Sequence, residues 1–412
     1  MLMNAPIHSP IPSRIALATL AMLVACASAA ALSPAVLTVG PGRRFATVAA
    51  AMRVVHPGDT IKVWPLAHDQ PYQRVAVQVD TPDLTIEAAR RHSLVKLSGA
   101  GFNYSGRGST PRAIFQFNPH ADHCTLIGFD LSGAHNHSFN GAGVRINAAN
   151  HVTIRDCYIH ANDMGIMSNG SLSRHTGAAQ VVEDCHITRN GNEHQPGYNH
   201  NLYMGGTSVL IYDCDISRSL TGHNVKSRAH LTIIQYCYIH DSDNREIDLV
   251  DARGNTDRPH SDALILGCLI VKKPHMSGNH EVINFGRDGA ANHTGTLYMV
   301  HDTVITPYPT AVVTLSAPGA RLVMIDNKIQ TRQHRATLVA LCPGIRANSI
   351  TGRGNRIAAA FGPIVRKLNG AAIRWNQIKL PWSRWGISRG LFYRYAGWRH
   401  LVRVRGRPRH GQ

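Results

Sequence analysis

The sequence predicts an all-β solenoid, a chain wound into about ten or more stacked coils of short strands. Three observations carry that prediction. One pattern recurs, in VTIRDCYIH, QVVEDCHIT, VLIYDCDIS, LTIIQYCYIH and ALILGCLIV, with an aliphatic residue three before a cysteine and another two after it. The segments between these units alternate apolar and polar residues with a strand's period of two and show no helical periodicity. The composition, 36 glycines and 25 histidines in 412 residues with 17% charged, favours turns and strands over long helices.

The recurring position forms a column: Phe129, Cys157, Cys185, Cys214, Cys237, Cys268, Thr303, Asn327, Asn355 and Asn376. Its intervals run 28, 28, 29, 23, 31, 35, 24, 28 and 21 residues, the lengths of stacked β coils. Neighbouring coils are then one strand spacing apart, ~4.8 Å. Eight cysteines in an exported chain first suggest disulfides. Their shared context instead predicts an internal ladder of buried thiols, since in-register parallel strands disfavour disulfide geometry.

Residues 1–30 have the pattern of an export signal: Arg14, an apolar run of about ten residues, then small residues. The run is shorter than the roughly 20 apolar residues a membrane span requires. Within it LVAC, Leu23 to Cys26, resembles a bacterial lipobox, with cleavage near Ala29 to Ala31 as the alternative. The mature protein is expected to be monomeric and exported: periplasmic, outer-membrane-associated or extracellular. Residues 31–380 make the solenoid domain. Its entry, FATVAAAMRVVHPGDTIKVWP from Phe45 to Pro65, predicts a short capping helix, a turn and a strand, covering the open end of the first coil.

The opening segment and the repeated coils together resemble the pectate-lyase-like, right-handed parallel β-helix superfamily over about residues 38–380. That superfamily includes lyases, hydrolases, epimerases and non-catalytic adhesins, so the resemblance implies the fold more narrowly than the function.

Residues equally far from the column on successive coils should stack. Tyr203 lies 11 before Cys214 and Lys226 lies 11 before Cys237. Alternation turns Leu202, Met204, Val225, Ser227, Ile247 and Leu249 inward, leaving Tyr203, Lys226 and Asp248 as one outward stripe. Asn201, Asn224 and Glu246 are expected as a second stripe beside it. The resemblance implies that this face carries the chemistry. β-Elimination in a uronate polymer requires a cation to neutralise the carboxylate and a base to remove the neighbouring proton. The segment NVKSR is similar to the lysine strand of the alginate lyase and chondroitinase B family, which implies Lys226 as base. Tyr203 is then the candidate acid for the leaving oxygen, and Arg228, Arg245 and His223 are cations that would tune the lysine.

Two departures from that family stand out. Its acidic calcium ligands fall where this chain has SRSLTGHN, and its catalytic arginine falls near Asp248, with Arg253 as a substitute if the loop curls back. The blocks HNLYMG and GHNVKSRA are closer to a group of secreted β-helix proteins that carry no assigned reaction. The expected site is therefore Lys226, Tyr203 and Arg228 for catalysis, with His200, Asn201, His223, Asn224, Arg245, Asp248 and Arg253 binding substrate. No cofactor or metal is expected; Asn201, Asn224, Glu246 and Asp248 offer oxygens of the kind calcium takes, but Lys226 beside them opposes it. No paired aspartates with a downstream RxK mark a hydrolase of this fold, and His194, His200 and His223 match no zinc spacing. NHEVINFGRDG, Asn279 to Gly289, is expected to wall the cleft with Arg287 and Asp288.

Charge is divided unevenly. The first 326 residues hold 25 basic and 25 acidic groups, whereas residues 327–412 hold 18 Lys and Arg and no acid. Four of the five tryptophans follow Ile364. Residues 381–412 form a basic, aromatic cap or tail suited to an anionic envelope surface. Nucleic acid is excluded as a partner by export. The predicted partner is an acidic polysaccharide. The leading expectation is a lyase cleaving an acidic, uronate-containing polysaccharide by β-elimination; the alternative is a non-catalytic protein binding an anionic polysaccharide or envelope surface, and the third option is a uronate C5-epimerase.

Overall fold

The computed structural model describes residues 33–357, apart from 91–92, 170–175, 195, 290, 332 and 334–335. The expected export signal at residues 1–30, Asn376 and the basic segment 381–412 lie outside the described residues. A complete coil contributes one strand to each of three parallel sheets, as in Gln180–Glu183, His186–Thr188 and Leu202–Met204. The first sheet has 12 strands, from Val36–Val39 to Ile350–Arg353. The second has 10, from Val95–Ser98 to Arg356–Ile357. The third also has 10, from Val77–Val79 to Val339–Leu341. This is the parallel β-helix that the repeat predicts.

Inward-facing side chains of all three sheets meet in one continuous core. Leu202, Met204, Val225, Ile247 and Leu249 belong to it, each fully buried. Burying such a side chain contributes about 1.5–3 kcal/mol. A five-residue helix, Val48–Met52, packs on the first coil, with Val48 and Ala51 in the core. Thr47 caps it, its hydroxyl accepting from the Ala50 amide at 3.2 Å. The Asp59 carboxylate closes the turn that follows, accepting from the Ala35 amide at 2.7 Å and the His56 amide at 2.9 Å.

The corner between the first and second sheets explains the repeat. The residue before each ladder position adopts positive φ: Gly128, Asp156, Asp184, Asp213, Tyr236, Gly267, His301, Asp326 and Gly354. Aspartate and glycine tolerate that region best, hence the recurrent Asp-Cys, Gly-Cys and Asp-Asn pairs. The thiols that follow point into the wall and donate to carbonyls two residues back, at 3.2 Å for Cys157, Cys185, Cys214 and Cys237. All seven described cysteines are free, and burial raises the pKa of Cys185 and Cys237. Cys26 lies outside the described residues.

One rung of the expected column is corrected. Thr303 pairs with Leu269 and Lys328, so the residue in line with Cys268 and Asn327 is Asp302. Asp302 accepts from the Cys268 amide at 2.8 Å, and its own amide donates to Asn327 Oδ1 at 2.8 Å. His301 in the left-handed region marks the true corner.

A second ladder lines the corner that leads to the third sheet. Asn162 Nδ2 donates to Asn190 Oδ1 at 3.1 Å, Asn190 Nδ2 to Asn201 Oδ1 at 2.9 Å and Asn201 Nδ2 to Asn224 Oδ1 at 2.8 Å. Asn224 Nδ2 then donates to Glu246 Oε2 at 2.6 Å. The ladder ends where Glu246 Oε1 faces Lys272 Nζ at 3.8 Å, both side chains fully buried.

Candidate functional site

The outward column of the third sheet runs in register through Gln116, Arg145, Met167, Tyr203, Lys226, Asp248, Asn284 and Thr314. Tyr203, Lys226 and Asp248 therefore stack as their equal distances from the ladder predict. The column is sunk rather than solvated: Lys226 is 7% exposed and Asp248 1%.

Two carboxylates hold Lys226. Its Nζ lies 3.3 Å from Asp248 Oδ2 and 2.6 Å from Asp288 Oδ2. Arg228 Nη2 reaches the same Asp288 oxygen at 2.8 Å. Arg228 Nε donates to the Tyr203 hydroxyl at 2.9 Å, and Nη1 donates to the Asp251 carbonyl. Thus one guanidinium links the phenol, the loop and the ammonium's partner.

Asp288 arrives from the loop after Ile283–Phe285. The chain turns there at Gly286, φ +143°, where a side chain would collide with the Ala317 backbone. Asp251 fixes the loop by accepting from the amides of Asp288 at 2.6 Å, Gly289 at 2.8 Å and Ala291 at 3.0 Å. Arg287 instead bonds Asn292 Oδ1 through Nε at 2.9 Å. Of the two loop residues expected beside the column, Asp288, not Arg287, reaches the lysine.

Beside this column stands a second, made of His200, His223 and Arg245. The two imidazoles stack with centroids 5.0 Å apart. Gly222 makes that approach feasible, since a Cβ there would collide with the Asn199 carbonyl. The His223 amide donates to His200 Nδ1 at 3.0 Å, so a neutral His200 carries its proton on Nε2. Burial, then the charges of His223 and Lys226, hold the His200 pKa well below its usual value, and burial lowers that of His223 too. His223 Nε2 lies 3.1 Å from Asp248 Oδ2 and Arg245 Nη1 3.5 Å from Asp248 Oδ1. Burial pushes Asp248 upward, but His223, Lys226 and Arg245 outweigh it and hold the carboxyl well below the usual range. Asn284 Nδ2 adds a hydrogen bond at 3.0 Å. Asp248 is the permanent anion of the site.

The structure brings together Lys226, Tyr203, Arg228, His200, His223, Arg245 and Asp248. It does not bring Asn201 and Asn224 into this cluster. Both are fully buried, their amides spent on the wall ladder, because the chain turns at these residues and the strand alternation does not extend to them. The proposed calcium donors do not converge for the same reason: Asn201, Asn224 and Glu246 face the wall, and Asp248 faces cations. Arg253 is exposed in the turn after Ile247–Leu249, and no hydrogen bond or ion pair joins it to this cluster among the described residues. Asp251 went unrecognised in the sequence because its three amide partners are 37 to 40 residues away.

No protein-family model matches the chain, and no curated protein matches it in sequence. Among solved structures, an alginate lyase from Paenibacillus sp. str. FPU-7 is similar at 13% identity and a TM-score of 0.47, over 80% of this chain and 99% of that one. The pectate lyase Pel9A aligns at 12% identity and 0.44, over 87% and 86%. A DFA-IIIase from Arthrobacter chlorophenolicus A6 aligns at 13% and 0.45, over 74% and 89%. At these values the likenesses carry no argument about chemistry. The three in-register parallel sheets themselves make the chain a parallel β-helix protein.

Proposed function

We propose that the protein acts on an acidic polysaccharide, cleaving next to a uronate by β-elimination in the cleft over Tyr203, Lys226 and Asp248. One observation supports this reading above the others: Lys226 and Arg228 converge on a single carboxylate oxygen, that of Asp288, beside a phenol. A uronate carboxylate placed where Asp288 lies would meet the same two cations, and Arg228 would offer it a charge-assisted hydrogen bond.

In this reading the lysine changes role. With two carboxylates at its Nζ, Lys226 serves as the ammonium that neutralises the substrate carboxylate, and Tyr203 becomes the base. The hydrogen bond from Arg228 steadies negative charge on the Tyr203 oxygen. The phenolate takes the C5 proton. The C5–H electron pair forms the C4=C5 double bond, and the C4–O4 bond breaks. The phenol so formed returns a proton to the departing O4. Lys226 and Arg228 stabilise the charge that builds on the carboxylate during the transfer. Asp248, held by His223 and Arg245, keeps Lys226 in place. The export signal in the sequence is consistent with such a substrate.

The double pairing of Lys226 also favours a second reading, a protein that holds the polymer without cleaving it. One experiment separates the two. The mature protein is incubated with alginate, polygalacturonate, hyaluronan, chondroitin and gellan-type polymers, and unsaturated uronates are followed by ultraviolet absorbance. Absorbance that rises on one polymer and vanishes in Tyr203→Phe supports the elimination. Loss in Lys226→Ala but not in Tyr203→Phe returns the base to the lysine. A flat trace with retention on an anionic-polysaccharide column supports binding alone.

A further inference from the structure

Arg145 lies on the same outward column as the site, three strand steps before Lys226, in register with Met167 and through it with Tyr203. At the strand spacing that separation is ~14 Å along the cleft. Its side chain is 7% exposed. Three lysines or arginines are this buried among the described residues: Arg145, Lys226 and Lys272. Lys226 faces Asp248 and Asp288, and Lys272 faces Glu246. Arg145 has no carboxylate within ion-pair distance among the described residues.

The contacts it does make are neutral. Nε donates to Asn147 Oδ1 at 2.9 Å, and Nη1 lies 3.1 Å from Met167 Sδ. Asn147 is held in turn by Asn118, which is anchored on Asp80. This relay fixes the direction of the guanidinium without neutralising it. Burial, then the charge of Arg112, pulls the Arg145 pKa down to about 10, so its surroundings oppose the charge they hold. A buried ion left without a counter-charge is costly, and an apolar residue of similar volume would fill the position at no such cost. The planar guanidinium presents paired donors that match a carboxylate or sulfate group.

We infer that Arg145 forms a second anion subsite of the cleft, taking the anionic group of a sugar further along the polymer whose uronate carboxylate meets Lys226 and Arg228. The inference rests on the proposed function, and it adds that the ligand carries anionic groups at a repeat spanned by three coils. A neutral polymer, or one with a single acidic sugar at the reaction point, would leave Arg145 unmatched.

The test uses acidic oligosaccharides of increasing length with calorimetric Kd values, in a Tyr203→Phe background that prevents turnover, comparing Arg145 with Arg145→Met and Arg145→Lys. Short oligosaccharides that reach only Lys226 are expected to bind all three alike. Longer ones are expected to bind the Arg145 protein at least tenfold more tightly than Arg145→Met, with Arg145→Lys between them. The thermal midpoint of Arg145→Met should be equal or higher, since an uncompensated charge is removed. Equal affinity of Arg145 and Arg145→Met for every length overturns the inference and leaves the proposed function standing. So does a fall in midpoint with unchanged binding, which would make Arg145 a packing residue. If no acidic oligosaccharide binds any of the proteins, both readings fall together.

Discussion

Two columns, one on the third sheet and one at the corner before it, lie two residues apart in the chain and have opposite fates. Asn201, Asn224 and Glu246 form a wall ladder in which the amide groups pair with the coils above and below. Tyr203, Lys226 and Asp248 form the cleft column, charged and gathered around a loop carboxylate. Residues i and i+2 of a strand share a face. The three wall residues precede strands Leu202–Met204, Val225–Ser227 and Ile247–Leu249, however, so the corner rather than the strand directs their side chains. Under the proposed function one column stores stability and the other carries the chemistry, and substitutions should separate the two.

The largest effect is expected in the wall. Asn224→Leu removes the acceptor for Asn201 Nδ2 and the Ser219 amide, and the donor to the His240 carbonyl and Glu246. The Ser219 amide and one N–H of Asn201 are left unpaired at about 1–3 kcal/mol each, while the His240 carbonyl and Glu246 keep the amides of Arg218 and Ser242, so the loss should total about 2–6 kcal/mol. Urea denaturation measures it. A loss below 1 kcal/mol would mean the ladder is not what holds the coils in register.

Tyr203→Phe in the cleft should leave the urea midpoint nearly unchanged while lowering turnover by about 10²–10⁴-fold, the usual contribution of a positioned acid or base. A large fall in stability with a small fall in turnover would reverse the roles of the two columns. Asp288→Ala should act the other way on binding. It removes the internal carboxylate from Lys226 and Arg228 but leaves the backbone amides that Asp251 holds. Short acidic oligosaccharides are then expected to bind about tenfold more tightly, ~1.4 kcal/mol. Weaker binding by calorimetry would show that Asp288 assists the substrate instead of occupying its place.

Much of this was legible in the sequence because a solenoid repeats its rules. The period, the inward alternation and the thiol ladder follow from local pattern, and Tyr203 and Lys226 could be aligned because both lie 11 before a cysteine. Legibility ended wherever a coil changed length or the chain turned. The long coil after Cys268 displaced the expected rung by one, from Asp302 to Thr303. The corner before each strand placed Asn201 and Asn224 in the wall. Arg145, in GVRIN, shows the required alternation between Val144 and Ile146, but it lies 12 residues before Cys157, outside the spacing that defined the stripe. Asp251 and Asp288 act over separations that no local pattern records.

The smallest predicted effect concerns the junction between the cysteine and asparagine parts of the first ladder. Asp302 is 1% exposed, and its contacts are the amides of Cys268 and Val300, with no cation facing it among the described residues. Burial raises its pKa well above the usual value. A carboxyl whose folded pKa exceeds its unfolded one, about 3.9, supports the fold fully below that pH, and the support is lost as pH rises toward the folded value. Asn327 and Asn355 show how an amide fits such a rung, each Nδ2 donating to a carbonyl three residues before a ladder position, at 2.9 Å. Asp302→Asn should adopt the same arrangement, donating to the Ile265 carbonyl while Oδ1 keeps the Cys268 amide. The Val300 amide then loses its acceptor, which offsets part of the gain. The net expectation is a stabilisation on the order of 1 kcal/mol at pH 7 that disappears near pH 4. Urea midpoints from pH 4 to 8 measure it. Parallel profiles for the two proteins would mean that Asp302 has found a compensating charge, and that the ladder tolerates an ionised rung as the cleft does.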